Sequence, residues 1–284
     1  MISAVTSAVP FFIITHNRLS GLTNALQFLQ KQEFPIRIVI ADMESSYPPM
    51  ISELKSIESA GEVLVWRCKN IGPRGLFFDD RFRKYVSSSG GNFFLADGDL
   101  DYSDTSSHLL TNLVAISRRY PGFRKVGAAL RLDDLPSHST LIAHKTQIIL
   151  SGERRNFFET REISPELFLA PVDTTVAYYP RLTKKYYFWP ALRAGGDMSV
   201  RHSPWYEDDS QLNSEQKFYI ANQRKDISTM GGRQLSETKD SELLLVDRFS
   251  IIIKLVLRVF PSLGSRAIGL LIGFSNKESC LTKA

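Results

Sequence analysis

The run Asp97-Gly98-Asp99-Leu100-Asp101 sets carboxylates at alternate positions directly after the apolar stretch at 92–96, NFFLA. In extended chain, side chains two apart point the same way. Oxygen donors so arranged suit Mg²⁺ or Mn²⁺, with diphosphate oxygens and water completing the shell. Glycine between the acids lets a phosphate approach the backbone. A cation held there would neutralise charge on a departing diphosphate. The plainer reading is an acidic surface turn, and a bare Asp-x-Asp does not separate the two.

What favours chemistry is the company this cluster keeps. Polar residues recur at the carboxyl ends of four apolar runs: His16-Asn17-Arg18 after FFIIT, Asp42 after RIVIA, Asn70 after VLVW, and Asp97 after NFFLA. Those runs are predicted strands at 11–15, 37–41, 63–66 and 92–96. Helix-like segments lie between them at 19–32, 51–60 and 76–87, with Pro48-Pro49 admitting the second and Gly61 closing it. The β-α-β-α-β-α-β rhythm predicts an α/β fold, a mostly parallel sheet flanked by helices on both faces. Ligands of such sheets bind outside the carboxyl ends of the strands, where these polar residues fall.

Beyond the acidic cluster, 104–119 is a predicted helix with Asp104 as its N-cap. Strands are predicted at 125–132 and 167–179, a long ordered loop at 186–206, and a helix at 207–221. Residues 222–241, polar and holding Gly231-Gly232, read as a linker. The organisation expected is therefore a main domain over 1–221, the linker, and an apolar helical appendage over 242–284.

The ordered set PFFIITHNR, VIADMESS, WRCKNIGP and FFLADGDLDY resembles the nucleotide-sugar domain of GT-A-type glycosyltransferases of the bacterial family 2-like group. The likeness runs over about residues 9–104 and extends through RHSPWYEDD at 201–209. It implies a Rossmann-like GT-A sheet and a nucleoside-diphosphate sugar as donor. Thr15, Asn17 and Arg18 would line the nucleotide pocket, and Asp42 would bond the base or ribose. Asn70 and Arg74 would approach nucleotide and sugar. Asp97 and Asp99 would hold the sugar and a diphosphate bridged by Mn²⁺ or Mg²⁺, with His202 as a late metal ligand. The family's DNGS-like sequence is here Asp42-Met43-Glu44-Ser45, so only the Asp and the Ser match. Each of these residues also has a plain reading: Asp42 as a helix cap, Asn17 and Asn70 as turn formers, Arg18 as the partner of an acid on the next helix.

Inverting sugar transfer, which the resemblance implies, needs a carboxylate to deprotonate the acceptor hydroxyl. Asp173, inside the apolar run LFLAPVDTTVAYY, and Asp208, between Glu207 and Asp209, are the two candidates; His202 as a ligand would favour Asp173. The aromatics Tyr186, Tyr187, Phe188, Trp189, Trp205 and Tyr206 would either stack on acceptor sugar or pack a second layer. A nucleotidyltransferase is the competing enzyme class, but THNRLSGL lacks the glycine-rich loop that holds a triphosphate. A non-catalytic glycan-binding relative is the third reading.

The segment 242–260, ELLLVDRFSIIIKLVLRVF, is apolar apart from a narrow stripe at Asp247, Lys254 and Arg258. Its uncharged stretches fall short of the roughly twenty residues a membrane span needs. With 266–274 it reads either as a basic amphipathic helix on a membrane surface, suiting a lipid-linked acceptor, or as a helix packed on the main domain or a second subunit. Two cysteines, Cys68 and Cys280, in 284 residues suggest neither a disulfide framework nor a zinc site and fit a reducing, cytoplasmic setting, with the inner membrane face as the surface contacted. The formal charge of +5 fits an anionic ligand or membrane. No basic run interleaved with aromatics marks nucleic acid as a partner. The expected setting is surface polysaccharide or glycolipid synthesis.

Overall fold

The computed structural model describes residues 8–72, 75–137, 143, 146, 147, 149, 150, 162–172, 175–182, 190–208 and 210–222. Arg74, Asp173, Asp209, the aromatics at 186–189 and everything beyond Asn222, including the linker and the apolar appendage, lie outside the described residues.

All seven residues of β1 (Val9–Thr15) are buried, because both faces of this strand are covered. It pairs in parallel with β2 (Ile36–Met43) on one side and β4 (Phe93–Asp97) on the other, and β2 pairs in parallel with β3 (Leu64–Cys68). The predicted strands are thus present: β1 and β2 are longer than expected, and β3 and β4 each start one residue later and end later.

Phe11 and Ile13 face a layer made by α1 (Leu19–Gln30), α2 (Pro48–Ala60) and α4 (Leu109–Arg119), through Leu22, Leu29, Met50, Leu54 and Leu113. Phe12 and Ile14 face the other layer, made by α3 (Asp80–Ser88) and the 3₁₀ turn Gly75–Phe78, through Phe77, Phe82 and Val86. One apolar run therefore supplies two cores.

The sheet has nine strands in the order β3-β2-β1-β4-β9-β6-β10-β8-β7. Here β6 is Lys125–Ala128, β7 Glu162–Ser164, β8 Leu167–Leu169, β9 Ala177–Tyr179 and β10 Ala191–Ala194. Only β9 and β8 run against the rest. The single strand expected over 167–179 is two strands in different places. Leu169 pairs with β10, whereas Ala177 lies between β4 and β6. Pro171, which has no N–H to give a ladder, stands between them.

A two-stranded ribbon, β5 (Leu100–Asp101) against β11 (Arg201–His202), leaves the carboxyl end of β4. The expected loop at 186–206 contains β10, β11 and two 3₁₀ turns, Gly196–Met198 and Ser203–Trp205. The last described helix, α5 (Ser214–Asn222), starts later than the predicted 207, and Asn222, which the sequence placed in the linker, ends it. Helix α4 likewise starts at Leu109, not 104, because Asp104 is engaged by Arg201 instead of capping. Among the described residues no helix is long and apolar enough to cross a membrane.

Two glycines set the contact between the acidic turn and α1. A Cβ on Gly21 would lie 2.1 Å from the Gly98 carbonyl oxygen, and one on Gly98 would lie 2.7 Å from the Thr15 Cβ. Alanine at 21 would gain about 1 kcal/mol of helix propensity. A backbone oxygen cannot swing aside as a side chain can, and overpacking costs about 1–3 kcal/mol. Gly21→Ala should therefore lower the thermal unfolding midpoint by several degrees; an unchanged or raised midpoint in a calorimetric scan would refute the close packing.

Candidate functional site

The carboxyl ends of β1 to β4 meet in register: Thr15 lies beside Asp42, Asp42 beside Arg67, and Ile14 beside Asp97. Alternation then separates the acids. Asp42 falls on the face of Ile13 and Ile40, and Asp97 on the face of Phe12 and Phe93. They share an edge but leave it on opposite sides.

Asp42 is committed to the scaffold in this structure. Its Oδ1 accepts from the Ser45 N–H at 3.2 Å and its Oδ2 from Arg67 Nη1 at 2.9 Å. Arg67 also forks onto Glu58 of α2 through Nε and Nη2. Asn17 is similarly engaged. It is fully buried, with φ of 53°, in the left-handed region that asparagine tolerates. Its Oδ1 accepts from the N–H groups of Ser46 and Tyr47 at 2.7 and 2.9 Å, covering the start of α2. Its own N–H donates to Ser45 Oγ, and its Nδ2 donates to His16 Nε2 while His16 Nδ1 donates to the Met43 carbonyl. Asn70 donates its N–H to Glu44 Oε2 at 2.9 Å, tying the β3 end to the β2 end.

A second group gathers at the acidic turn. The chain leaves the extended conformation at Gly98, whose N–H donates to the Ile14 carbonyl at 2.7 Å. The expected same-side alternation of Asp97 and Asp99 therefore does not operate, because Gly98-Asp99 is a turn. The β5–β11 ribbon brings His202 across: its Nε2 is 3.4 Å from Asp99 Oδ2, and the Ser203 N–H donates to the Asp99 carbonyl. Burial pushes the Asp99 carboxyl up, but the His202 ring and the Arg18 guanidinium beside it hold it below the usual carboxylate range. Burial, with Asp97 and Asp99 near, pushes the Tyr102 hydroxyl well above its usual value.

This group also concentrates unmet hydrogen-bonding capacity. Buried polar atoms are normally paired. Among the described residues, Thr15 Oγ1, Arg18 Nε, Asp99 Oδ1, Tyr102 Oη and His202 Nδ1 are buried without a partner, as is the more distant Gln32 Nε2. Five of the six thus belong to the surroundings of one turn.

Arg18 connects this group to the last described segment. Its Nη1 donates to Glu207 Oε1 at 2.6 Å, both side chains being largely buried, and the Tyr219 ring lies 3.9 Å from its guanidinium carbon. Glu215 of α5 accepts from the N–H and hydroxyl of Ser20, so α1, which has no capping side chain of its own, is capped from α5. Asp208 follows Glu207, and its Oδ1 accepts from the N–H and Oγ of Ser210.

Arg201, next to His202, reaches Asp134 through Nε at 2.6 Å, Ser103 Oγ at 2.9 Å, and the Asp104 carboxylate. Tyr206 donates to Asp134 Oδ1 at 2.6 Å. Burial alone would lower the Arg201 pKa, but the Asp134 and Asp104 carboxylates raise it above the ordinary guanidinium value. The roles of Glu215, Arg201, Asp134 and Tyr219 were not read from the sequence. Only the run at 201–209 pointed toward this region.

Thr15, Arg18, Asp99 and His202 are thus brought together, whereas Asn17, Asp42 and Asn70 serve ties between neighbouring loops. Asp97 ends β4 beside them. Among the described residues no cluster of three or more His, Cys, Asp or Glu side chains is arranged to enclose a metal ion. Asp99 and His202 supply one carboxylate and one imidazole, a donor pair that fits Mn²⁺ when further ligands come from phosphate and water.

No family model matches the chain, and no curated protein matches it. Solved structures do. A mannosyltransferase, PcManGT from Pyrobaculum calidifontis in complex with GDP-Man and Mn²⁺, is similar at 14% identity and a TM-score of 0.37, over 61% of this chain and 44% of that one. Glucosyl-3-phosphoglycerate synthase from Mycobacterium tuberculosis, in complex with phosphoglyceric acid, is similar at 14% identity and a TM-score of 0.37, over 61% of this chain and 57% of that one. TarS of S. aureus, residues 1–349, is similar at 12% identity and a TM-score of 0.40, over 96% and 92% of the two chains. The chain thus spans less than two thirds of the mannosyltransferase and of the synthase. Likeness at this level speaks to neither activity nor substrate.

Two measurements check the site's energetics. Asn17→Ala removes the acceptor shared by the Ser46 and Tyr47 N–H groups and should cost about 0.5–2 kcal/mol in urea unfolding; a cost near zero would mean the tie is not made. For Asp99, a carboxylate with a lowered folded pKa contributes stability that is present above its unfolded pKa, near 3.8, and is lost as pH falls through the folded value. The unfolding midpoint of the native chain should therefore drop as pH falls below about 4, and Asp99→Asn should flatten that limb. An acid limb of equal steepness in both proteins would count against the Asp99–His202–Arg18 arrangement.

Proposed function

We propose that the protein is a nucleotide-sugar-dependent glycosyltransferase working at the Asp97–Asp99 turn. The observation that carries this reading is the crowd of buried, unpartnered polar atoms around that turn: two hydroxyls, a guanidinium nitrogen, a carboxylate oxygen and an imidazole nitrogen at the carboxyl ends of the parallel strands β1 and β4. Such a set suits a phosphorylated, hydroxylated ligand better than it suits empty protein interior.

Asp97, Asp99 and His202 would hold Mn²⁺ or Mg²⁺, which when bound supplies positive charge against the leaving diphosphate. Thr15 offers its hydroxyl to the same donor. Asp208, or Asp173, takes the proton from an acceptor hydroxyl. That oxygen bonds to the anomeric carbon as the carbon–oxygen bond to the diphosphate breaks, which inverts the centre. The Arg18–Glu207 pair supports Asp208, since it ties the preceding residue to a side chain whose charge is felt at Asp99. The acceptor class proposed is a saccharide or lipid-linked glycan of surface polysaccharide or glycolipid synthesis. The apolar segment 242–274 would meet the membrane surface.

Incubating the full chain with Mn²⁺ and a panel of uridine, guanosine and thymidine diphosphate sugars should release nucleoside diphosphate slowly from one of them. Asp99→Ala should reduce that release on the order of a hundredfold or more, with its far-ultraviolet circular dichroism unchanged. Full turnover by Asp99→Ala, or no turnover of any donor by the native chain, would overturn the reading.

A further inference from the structure

Helix α5 and the turn before it meet the sheet edge mainly through carboxylates. Glu207 takes the Arg18 guanidinium, and Glu215 takes the first-turn N–H and hydroxyl of Ser20. Tyr219 covers Arg18 from the other side, and Phe218 packs on Tyr47 at 5.1 Å between ring centroids. The Arg18 and Glu207 side chains are 8% and 12% exposed, so their pairing is not a solvent-screened surface contact. The arrangement is a clamp with α1 on one side and the segment bearing Asp208 on the other.

We propose that Arg18 is a positioning residue: it grips Glu207 and thereby sets where the 206–208 segment, and Asp208 with it, stands relative to Asp99. This rests on the transferase reading and deepens it. It assigns Arg18 a task other than lining the nucleotide pocket. Three further contacts fix the turn once Glu207 is held. The Tyr206 N–H donates to the Ser203 carbonyl at 3.0 Å, the Gln211 N–H to the Asp208 carbonyl at 2.9 Å, and the Ser210 N–H to Asp208 Oδ1 at 2.9 Å. Ser203 in turn donates its N–H to Asp99. A continuous chain of contacts therefore runs from Arg18 through Glu207 to Asp208, and from there back through Ser203 to the acidic turn. Loss of the grip would misplace Asp208 by an ångström or so without removing any group from the donor site.

The test compares Arg18→Met, Glu207→Gln, the double variant and Arg18→Lys in the full chain. Positioning predicts that kcat for sugar transfer falls on the order of tenfold to a hundredfold, with donor KM within about twofold of native. The double variant should be no worse than the poorer single one, and Arg18→Lys should recover part of the loss. A raised donor KM with kcat retained would make Arg18 a donor ligand and overturn the proposal. Amide hydrogen exchange gives an arm that needs no turnover: Tyr206, Ser210 and Gln211 should lose protection in Arg18→Met and Glu207→Gln alike. Unchanged protection at those amides overturns the clamp whether or not the chain transfers sugar. Absent turnover in the native chain overturns the transferase reading alone, leaving the exchange result to decide the clamp.

Discussion

The backbone contact between Gly21 and Gly98 governs the rest of this edge. The Gly98 N–H carries hydrogen bonding to β1 one step past the end of β4, onto the Ile14 carbonyl. The first turn of α1 then rests directly on that peptide, which only a glycine at 21 permits. A helix laid so close puts Arg18 and Ser20 at the acidic turn, and the contacts of Glu207 and Glu215 follow from those two positions. Were α1 displaced outward by the width of a methyl group, Asp99 would lose the neighbouring guanidinium that helps keep it ionised.

Side chains at the edge are tied across segments that are apart in the chain. Asp42 meets Arg67, Arg18 meets Glu207, and Asp99 meets His202. Removing one partner of a buried pair leaves the other uncompensated, which costs more than the pair contributes. The ribbon shows how this constrains the site. Arg201 and His202 are neighbours in a strand, so their side chains leave on opposite sides. One side anchors on Asp134 and Asp104 and the other meets Asp99. The position of the imidazole is therefore a consequence of an ion cluster it does not touch.

The first four strands were legible because their apolar runs are short, bounded and separated by helix-period segments. The run at 167–179 was not, since its apolar stretches show no period that divides them and only Pro171 marked the break. Helix α4 was misjudged at its start because Asp104 is an acceptable cap locally, and only Arg201, 97 residues away, gives it a better partner. The same limit governed the site. Asp97, Asp99 and the polar residues after β1 to β3 were legible from position. Which of them serve as ties and which face the turn was not, since Arg67 for Asp42 and Ser46 for Asn17 are choices made in space. Glu215 carried no local signal at all: a glutamate in the first turn of a helix ordinarily complements its own helix dipole, whereas this one caps another helix.

The contacts that complete the site are also the most distant in sequence. Arg18 and Glu207 are separated by 189 positions and Ser20 and Glu215 by 195. The sheet from β1 to β4 closes over far shorter loops. Loop-closure entropy grows with separation, so contacts of this span form after local ones have made the surface they dock on. Until then α1 has an uncapped first turn and Arg18 has no carboxylate. Segments joined last through a few polar bonds are the first to open, because little apolar area opposes their release. Release of that segment would leave both cores behind the sheet intact, since neither draws on it for its buried members.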